Sequence, residues 1–403
     1  MSDASTAASE TDVLIVGAGP AGVAASLALS QRGIAHTLVD RATFPRNKVD
    51  GNAFGQDLLA ALDRLNRADI VQALLASPDL LPCPAGAWLF GDRGNRYQPR
   101  LPASSGQPSI YTMDRQAMDA LLLGFVDRST VDLRLGRDVV ALQKEGDRLA
   151  AVLKVDDRTE VIRTKLVIGA DGARSRVASI LLNRVEPTAD MALTIHTYYR
   201  NLAGFEEPHI EAHYVQPLLP GFLFIAPLAD GRFKVGLGTR AERLGNNADQ
   251  LEQWLDRLIT EKAWLKERFA GAERVAAVEA WPMTFGGTKN LARSGDNVLL
   301  VGDAAGLCNP LTGFGTAKAI DSGRMAAAVA AAALGAKQFD RATLAAYDRD
   351  LERAFDREFN IARRLNTWNE SAWLMNFVTG RSIPRRLMSL AKGSRRLQHL
   401  VQV

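Results

Sequence analysis

Residues 13–40 change texture in a fixed order: a short apolar run, a glycine-broken turn, an uncharged stretch, and a second apolar run ending at Asp40. That order predicts strand, turn, helix, strand. The turn spells GxGxxG with Gly17, Gly19 and Gly22 and holds Ala21, while Asp40 falls near the ~20-residue spacing of a dinucleotide cradle. Gly17 permits the tight turn, Gly19 lets backbone approach a pyrophosphate, and Gly22 lets the helix pack closely on the strand. The helix start would then face the phosphates with free N–H groups and partial positive charge, and Asp40 could accept hydrogen bonds from ribose hydroxyls.

Further along, Leu58, Leu59, Leu62, Leu65, Ile70 and Leu74 recur at helical spacing within 57–75, and 113–125 again reads as helix. Residues 77–109 are rich in proline and glycine and predict loops with short strands. Short alternating runs over 131–167 predict a meander, and 191–281 alternates with many aromatics, as a sheet covering a cavity would, interrupted by amphipathic helix within 240–269. Near the end, an apolar strand at 297–301 runs into Gly302-Asp303, a glycine-bearing loop and an alanine-rich helix.

Composition narrows the class. The chain has 403 residues, 47% hydrophobic and 23% charged, an ordinary globular mixture with a length prior of two to three domains. The uncharged run at 13–30 could fill a membrane window, but glycines and a proline interrupt it and no basic region precedes it. Residues 1–11 read as a disordered polar leader. Cys83 and Cys308 form neither a disulfide framework nor a metal spacing, which points to the cytoplasm. Net charge is only +4, and the surplus sits in the acid-free end from Arg381 onward, so a nucleic-acid partner is not expected. That basic end, with Trp368, Trp373, Leu374 and Phe377 before it, could instead lie peripherally on an anionic membrane or form a helical lid. His209, Glu211 and His213 share a strand face but lack the order of a metal motif, and are expected to be exposed on an edge strand; no metal site is expected.

With the GxGxxG turn, the GADG segment at 169–172 and the GDAA segment at 302–305, the chain resembles the flavoprotein superfamily of p-hydroxybenzoate hydroxylase, and within it the geranylgeranyl reductase family. The motifs FPRNKVDG (44–51), YTMDR (111–115), GADGARSRV (169–177), GFLFIAPLADGRFKVGLG (221–238) and GDAAGLCNPLTGFG (302–315) carry the resemblance, which spans about 12–335. It implies an α/β fold: a Rossmann-like FAD-binding domain built from 12–76, 111–185 and 282–335, a largely antiparallel β substrate domain from 77–110 and 186–281, and a C-terminal helical region at 336–403. It also implies that Asp303 bonds the ribityl chain of FAD, that backbone around Thr312, Gly313, Gly315 and Thr316 meets the flavin ring, that Arg115 reaches the phosphates, that Arg41 lies along the adenosine, and that Lys48 faces the cofactor.

The fingerprint at the start serves FAD, so NAD(P)H is expected as a transient reductant without its own Rossmann domain, or electrons come from a partner flavin reductase. Phe222, Phe224 and Trp281 are candidate walls of a pocket for a hydrophobic or aromatic small molecule. Where geranylgeranyl reductases usually carry cysteine, an acidic residue and tryptophan, this chain has Asp50 before Gly51, Phe314 and Phe224. Those departures favour a monooxygenase, with reduction of isoprenoid double bonds as the alternative. A flavin halogenase lacks support because no lysine lies between Lys48 and Lys144, and a non-catalytic lipid carrier would need neither Asp40 nor Asp303. Asp50 is the candidate proton donor or acceptor if burial raises its pKa, the alternative being a turn-forming Asp-Gly on a loop.

Overall fold

A computed structural model describes residues 9–48, 50–90, 95–97, 108, 110–185, 188–245, 247–288 and 291–369. The expected membrane-facing tail beyond 369, the leader residues 1–8 and Val49 lie outside the described residues. The fold is α/β, with a Rossmann-like sheet, a separate, largely antiparallel sheet and a helical region toward the C-terminus.

The main sheet runs Val298–Leu300, Arg158–Gly169, Ser9–Val16, His36–Asp40, Asp132–Leu135, all parallel. Its central strands are covered on both faces, which is why they read as unbroken apolar runs rather than alternating ones. The opening strand begins at Ser9, paired with Ile162, so residues 9–11, expected in a disordered leader, are strand: pairing with the long 158–169 strand draws polar residues into the ladder.

Helix Pro20–Ser30 follows with proline at its first turn, where the missing N–H is no loss. Almost its whole length is buried, because helix Thr316–Ala336 lies across it. The crossing is close: a Cβ on Gly323 would sit 2.3 Å from the Ala21 carbonyl oxygen. Alanine and glycine fill that contact because larger side chains would force the two helices apart.

The second sheet includes Met191–Arg200, Phe233–Arg240, Phe222–Pro227 and His209–Tyr214 in that order, all antiparallel. Period-two alternation gives it two distinct faces. On one, Leu193, Ile195, Leu223, Ile225, Val235 and Leu237 form a core under helices Asp249–Glu261 and Ala263–Phe269. On the other, Thr194, His196, Phe222, Phe224 and Lys234 line a cavity.

Candidate functional site

The cradle is built as a close backbone fit. Gly17 has φ +108, and a Cβ there would lie 2.3 Å from the Ala170 carbonyl oxygen. At Gly22 a Cβ would meet the Gly17 carbonyl oxygen at 1.8 Å. At Gly19 the nearest atom is the far end of Arg46, at 3.1 Å, so this residue faces the cleft. That cleft, open to solvent, holds about 1420 Å³ of empty space and is lined by Gly17, Gly19, Ala21, Asp40, Arg41, Lys48, Asp50, Arg115, Asp303, Gly313, Gly315 and Thr316. Thr312 lies on the neighbouring cavity instead.

Asp40 is buried and already engaged: it accepts from Ala18 N at 2.7 Å, Ala42 N at 2.8 Å and Arg46 Nη1 at 3.0 Å. Its carboxylate therefore pins the glycine turn to the end of the second strand. Arg46, which the sequence did not single out, also reaches Asp119 at 3.0 Å. Asp119 in turn holds Arg115 Nε at 2.6 Å, and Arg115 Nη1 donates to the Asp50 carbonyl at 2.9 Å. The Arg115–Asp119 spacing of four residues on one helix was the available signal. Arg41 is exposed at the rim of the cleft.

At the far end, Gly302 and Asp303 open a tight helical turn, and Gly315 precedes helix Thr316–Ala336 without a side-chain cap. The first N–H groups of that helix are thus uncapped beside the cleft, a site suited to negative charge. Burial raises the Asp303 pKa and Asp50 adds to the rise, while Lys48 and Arg115 oppose it.

Asp50 departs from expectation. Burial alone would raise its pKa, but Lys48, Arg115 and Lys234 outweigh it and hold the carboxyl at about 2. It is a carboxylate at neutral pH and does not donate a proton there. Lys48 Nζ stands 3.5 Å from Asp50 Oδ1 and 5.3 Å from the Trp281 ring centroid, yet Oδ1 accepts no hydrogen bond among the described residues.

The cleft meets a second cavity of about 1280 Å³, and Asp50, Gly51, Ala53, Met283, Gly313 and Phe314 border both. Phe222 and Phe224 line this second cavity, whereas Trp281 lines the cleft. Gly236, opposite both His196 and Phe224 in the register, leaves room for the Phe224 ring, since a Cβ there would lie 2.5 Å from it. Lys234 is fully buried on this wall and donates to Asn52 Oδ1. Burial pulls its ammonium down to about 7 against the attraction of Asp50. Sequence reasoning missed Lys234 and His196; the signal was a lysine and a histidine each set among apolar strand residues.

His209, Glu211 and His213 are buried rather than exposed, because their strand is flanked on both sides, by Phe222–Pro227 and Ala85–Phe90. Glu211 takes hydrogen bonds from His209 Nε2 at 2.9 Å, His213 Nε2 at 3.0 Å and Arg268. These cationic and N–H partners overcome the effect of burial and keep Glu211 well below the usual carboxylate range. Among the described residues no cluster suits a metal ion.

A parallel-sheet cradle with a glycine turn at one end and an uncapped helix start at the other defines a dinucleotide-binding protein. The chain belongs to the FAD binding domain family, whose model matches residues 10–356, and it is a FAD-dependent oxidoreductase. Menaquinone reductase of Mycobacterium tuberculosis is 27% identical over 362 residues, covering 88% of this chain and 83% of that one. Digeranylgeranylglycerophospholipid reductase of Thermoplasma acidophilum is 26% identical over 363 residues, covering 86% and 84%. In fold, a geranylgeranyl bacteriochlorophyll reductase-like protein from Thermoplasma acidophilum superposes with TM-score 0.79 at 19% identity, over 92% of this chain and 90% of that one. The flavin-dependent halogenase CmlS superposes with TM-score 0.71 at 20% identity, over 91% and 67%.

Proposed function

We propose that this protein uses FAD to reduce carbon–carbon double bonds in an amphiphile with an isoprenoid chain. The observation that carries the reading is the junction of the two cavities: an aromatic and aliphatic chamber opens onto the cofactor cleft along Asp50, Gly51, Ala53, Met283, Gly313 and Phe314. The relatives named as reductases act on compounds with isoprenoid chains, which favours double-bond reduction over the oxygen insertion that the motif departures suggested.

Bound FAD, once reduced, supplies the hydride equivalent that a double bond must receive. The chain's own residues do the remainder. Gly17, Gly19 and Gly22 admit the pyrophosphate, and the uncapped N–H groups from Thr316 onward favour negative charge at the opposite end. Phe222, Phe224, Tyr214 and Phe285 line the chamber with apolar surface and exclude water from an alkyl chain. Lys234 Nζ, with its pKa near 7, can hold or release a proton at neutral pH on the wall of that chamber.

NAD(P)H acting transiently, or a partner flavin reductase, would recharge the cofactor. No helix among the described residues is long and apolar enough to cross a membrane. The basic C-terminal residues would supply charge for contact with an anionic membrane surface.

The test is anaerobic. Protein with prereduced FAD is mixed with a polyprenyl lipid, and flavin reoxidation is followed by absorbance while the product is weighed by mass spectrometry. Gain of two hydrogens without oxygen supports the reading. Product that forms only after oxygen is admitted, carrying an added oxygen atom, sinks it.

A further inference from the structure

On the cavity wall, Thr194 Oγ1 lies 2.8 Å from the Trp281 carbonyl oxygen and 2.8 Å from His196 Nε2. A carbonyl can only accept, so the single hydroxyl hydrogen of Thr194 goes to Trp281. The hydroxyl oxygen must then accept from His196, which places the ring hydrogen on Nε2. The imidazole is neutral, since burial and the neighbouring Lys234 push its pKa well below the usual value. Its Nδ1 therefore presents a lone pair. His196 is 4% exposed, and Nδ1 has no hydrogen-bond partner among the described residues.

His196 lines the cavity, and an orphaned buried acceptor there is costly unless a ligand or a water satisfies it. The surroundings restrict what that ligand group can be. The Phe224 ring stands 5.4 Å from the imidazole, centroid to centroid. Lys234 occupies the same sheet face, two residues along from Gly236, the register partner of His196. Of its three N–H donors one is given to Asn52. A carbonyl or ether oxygen cannot donate to Nδ1. An ammonium could donate, but the two carboxylates lining this cavity, Asp50 and Glu211, already stand beside Lys48 and Arg268, and it would also meet Lys234 and Arg240. A hydroxyl donates to Nδ1 and still offers its oxygen to a cationic neighbour.

Resting on the reading of this chamber as the substrate site, we propose that the cavity selects its substrate by a hydroxyl group, alcohol or phenol, whose O–H donates to His196 Nδ1 while the apolar body lies along Phe222 and Phe224. His196 is thereby a specificity-determining contact.

The experiment compares two probes on the FAD-loaded protein, geranylgeraniol and its methyl ether, which share the chain and differ in the donor. Binding is read from the perturbation of flavin absorbance, without turnover. The alcohol should bind about 10- to 100-fold more tightly than the ether. His196→Phe should erase that ratio by weakening the alcohol alone, whereas His196→Gln, which offers an amide oxygen, should keep part of it. Flavin absorbance and thermal unfolding report whether each variant is folded, and if neither folds the wild-type ratio decides alone. Equal affinities in the wild type, as a resident water on Nδ1 would give, overturn the proposal, and so does an undiminished ratio in folded His196→Phe. Tight, selective alcohol binding without anaerobic reduction would instead overturn the reductase reading and leave the hydroxyl site standing.

Discussion

Replacing Lys234 with methionine should invert the order of stability between wild type and variant as pH rises. In the folded protein burial lowers the ammonium from its ordinary 10.5 to about 7, so between those values the unfolded chain binds a proton that the folded chain does not. Stability must then increase with pH across that window, because the state with more bound protons is disfavoured as protons become scarce. At ~1.4 kcal/mol per pKa unit, the wild type should gain about 3 to 4 kcal/mol relative to Lys234→Met between pH 7 and pH 10. Methionine is close in length and apolar, so it fills the site, but it leaves Asn52 Oδ1 without its donor at a cost of ~1–3 kcal/mol. Near pH 7 the variant should be the more stable by roughly 1 to 3 kcal/mol, and near pH 10 the less stable. Urea unfolding of the FAD-free proteins, followed by tryptophan fluorescence at pH 7, 8, 9 and 10, measures the difference and cancels groups common to both. A difference that stays flat, or falls with pH, would refute the placement of a desolvated lysine on this wall.

Gly22→Ala forces a Cβ to within 1.8 Å of the Gly17 carbonyl oxygen, so the helix must move off the strand. Stability should fall by ~1–3 kcal/mol and FAD affinity by at least about tenfold, read by flavin fluorescence titration; unchanged affinity would remove the cradle from the cofactor site. Burial pushes the Cys83 thiol up to about 12 and the Cys308 thiol well above its usual value. Native protein at pH 8 should therefore release almost no colour from an aromatic disulfide reagent until urea is added, and rapid labelling of either cysteine would contradict the burial assigned to them.

The cofactor cradle was legible because its chemistry is local. A strand, a glycine turn, a helix start and an acid at fixed spacing must lie together whatever the remainder of the chain does, and the GDAA turn feeding an alanine-rich helix supplied the other end in the same way. Period-two alternation likewise places Phe222 and Phe224 on one sheet face, and both line the second cavity, while Trp281 lines the cleft. Alternation does not say which face meets the cofactor. His209, Glu211 and His213 show the limit: their spacing put them on one face, but only the two flanking strands made that face buried.

What the sequence determined by itself, then, is the set of short-range frames: the dinucleotide turn, the strand alternation, and the family these motifs mark. Tertiary structure decided the charges. Asp50, His196 and Lys234 stand far apart along the chain, and apart from Lys48, two residues from Asp50, the charges that set their protonation meet only in the folded chain. From sequence, burial of Asp50 would have meant a raised pKa, whereas the folded chain buries it beside Lys48 and Arg115 and lowers the pKa instead. The physical reason is range: backbone shape is set by residues a few positions apart, while the electrostatic state of a buried group depends on every charge within several ångströms, whatever its position in the chain.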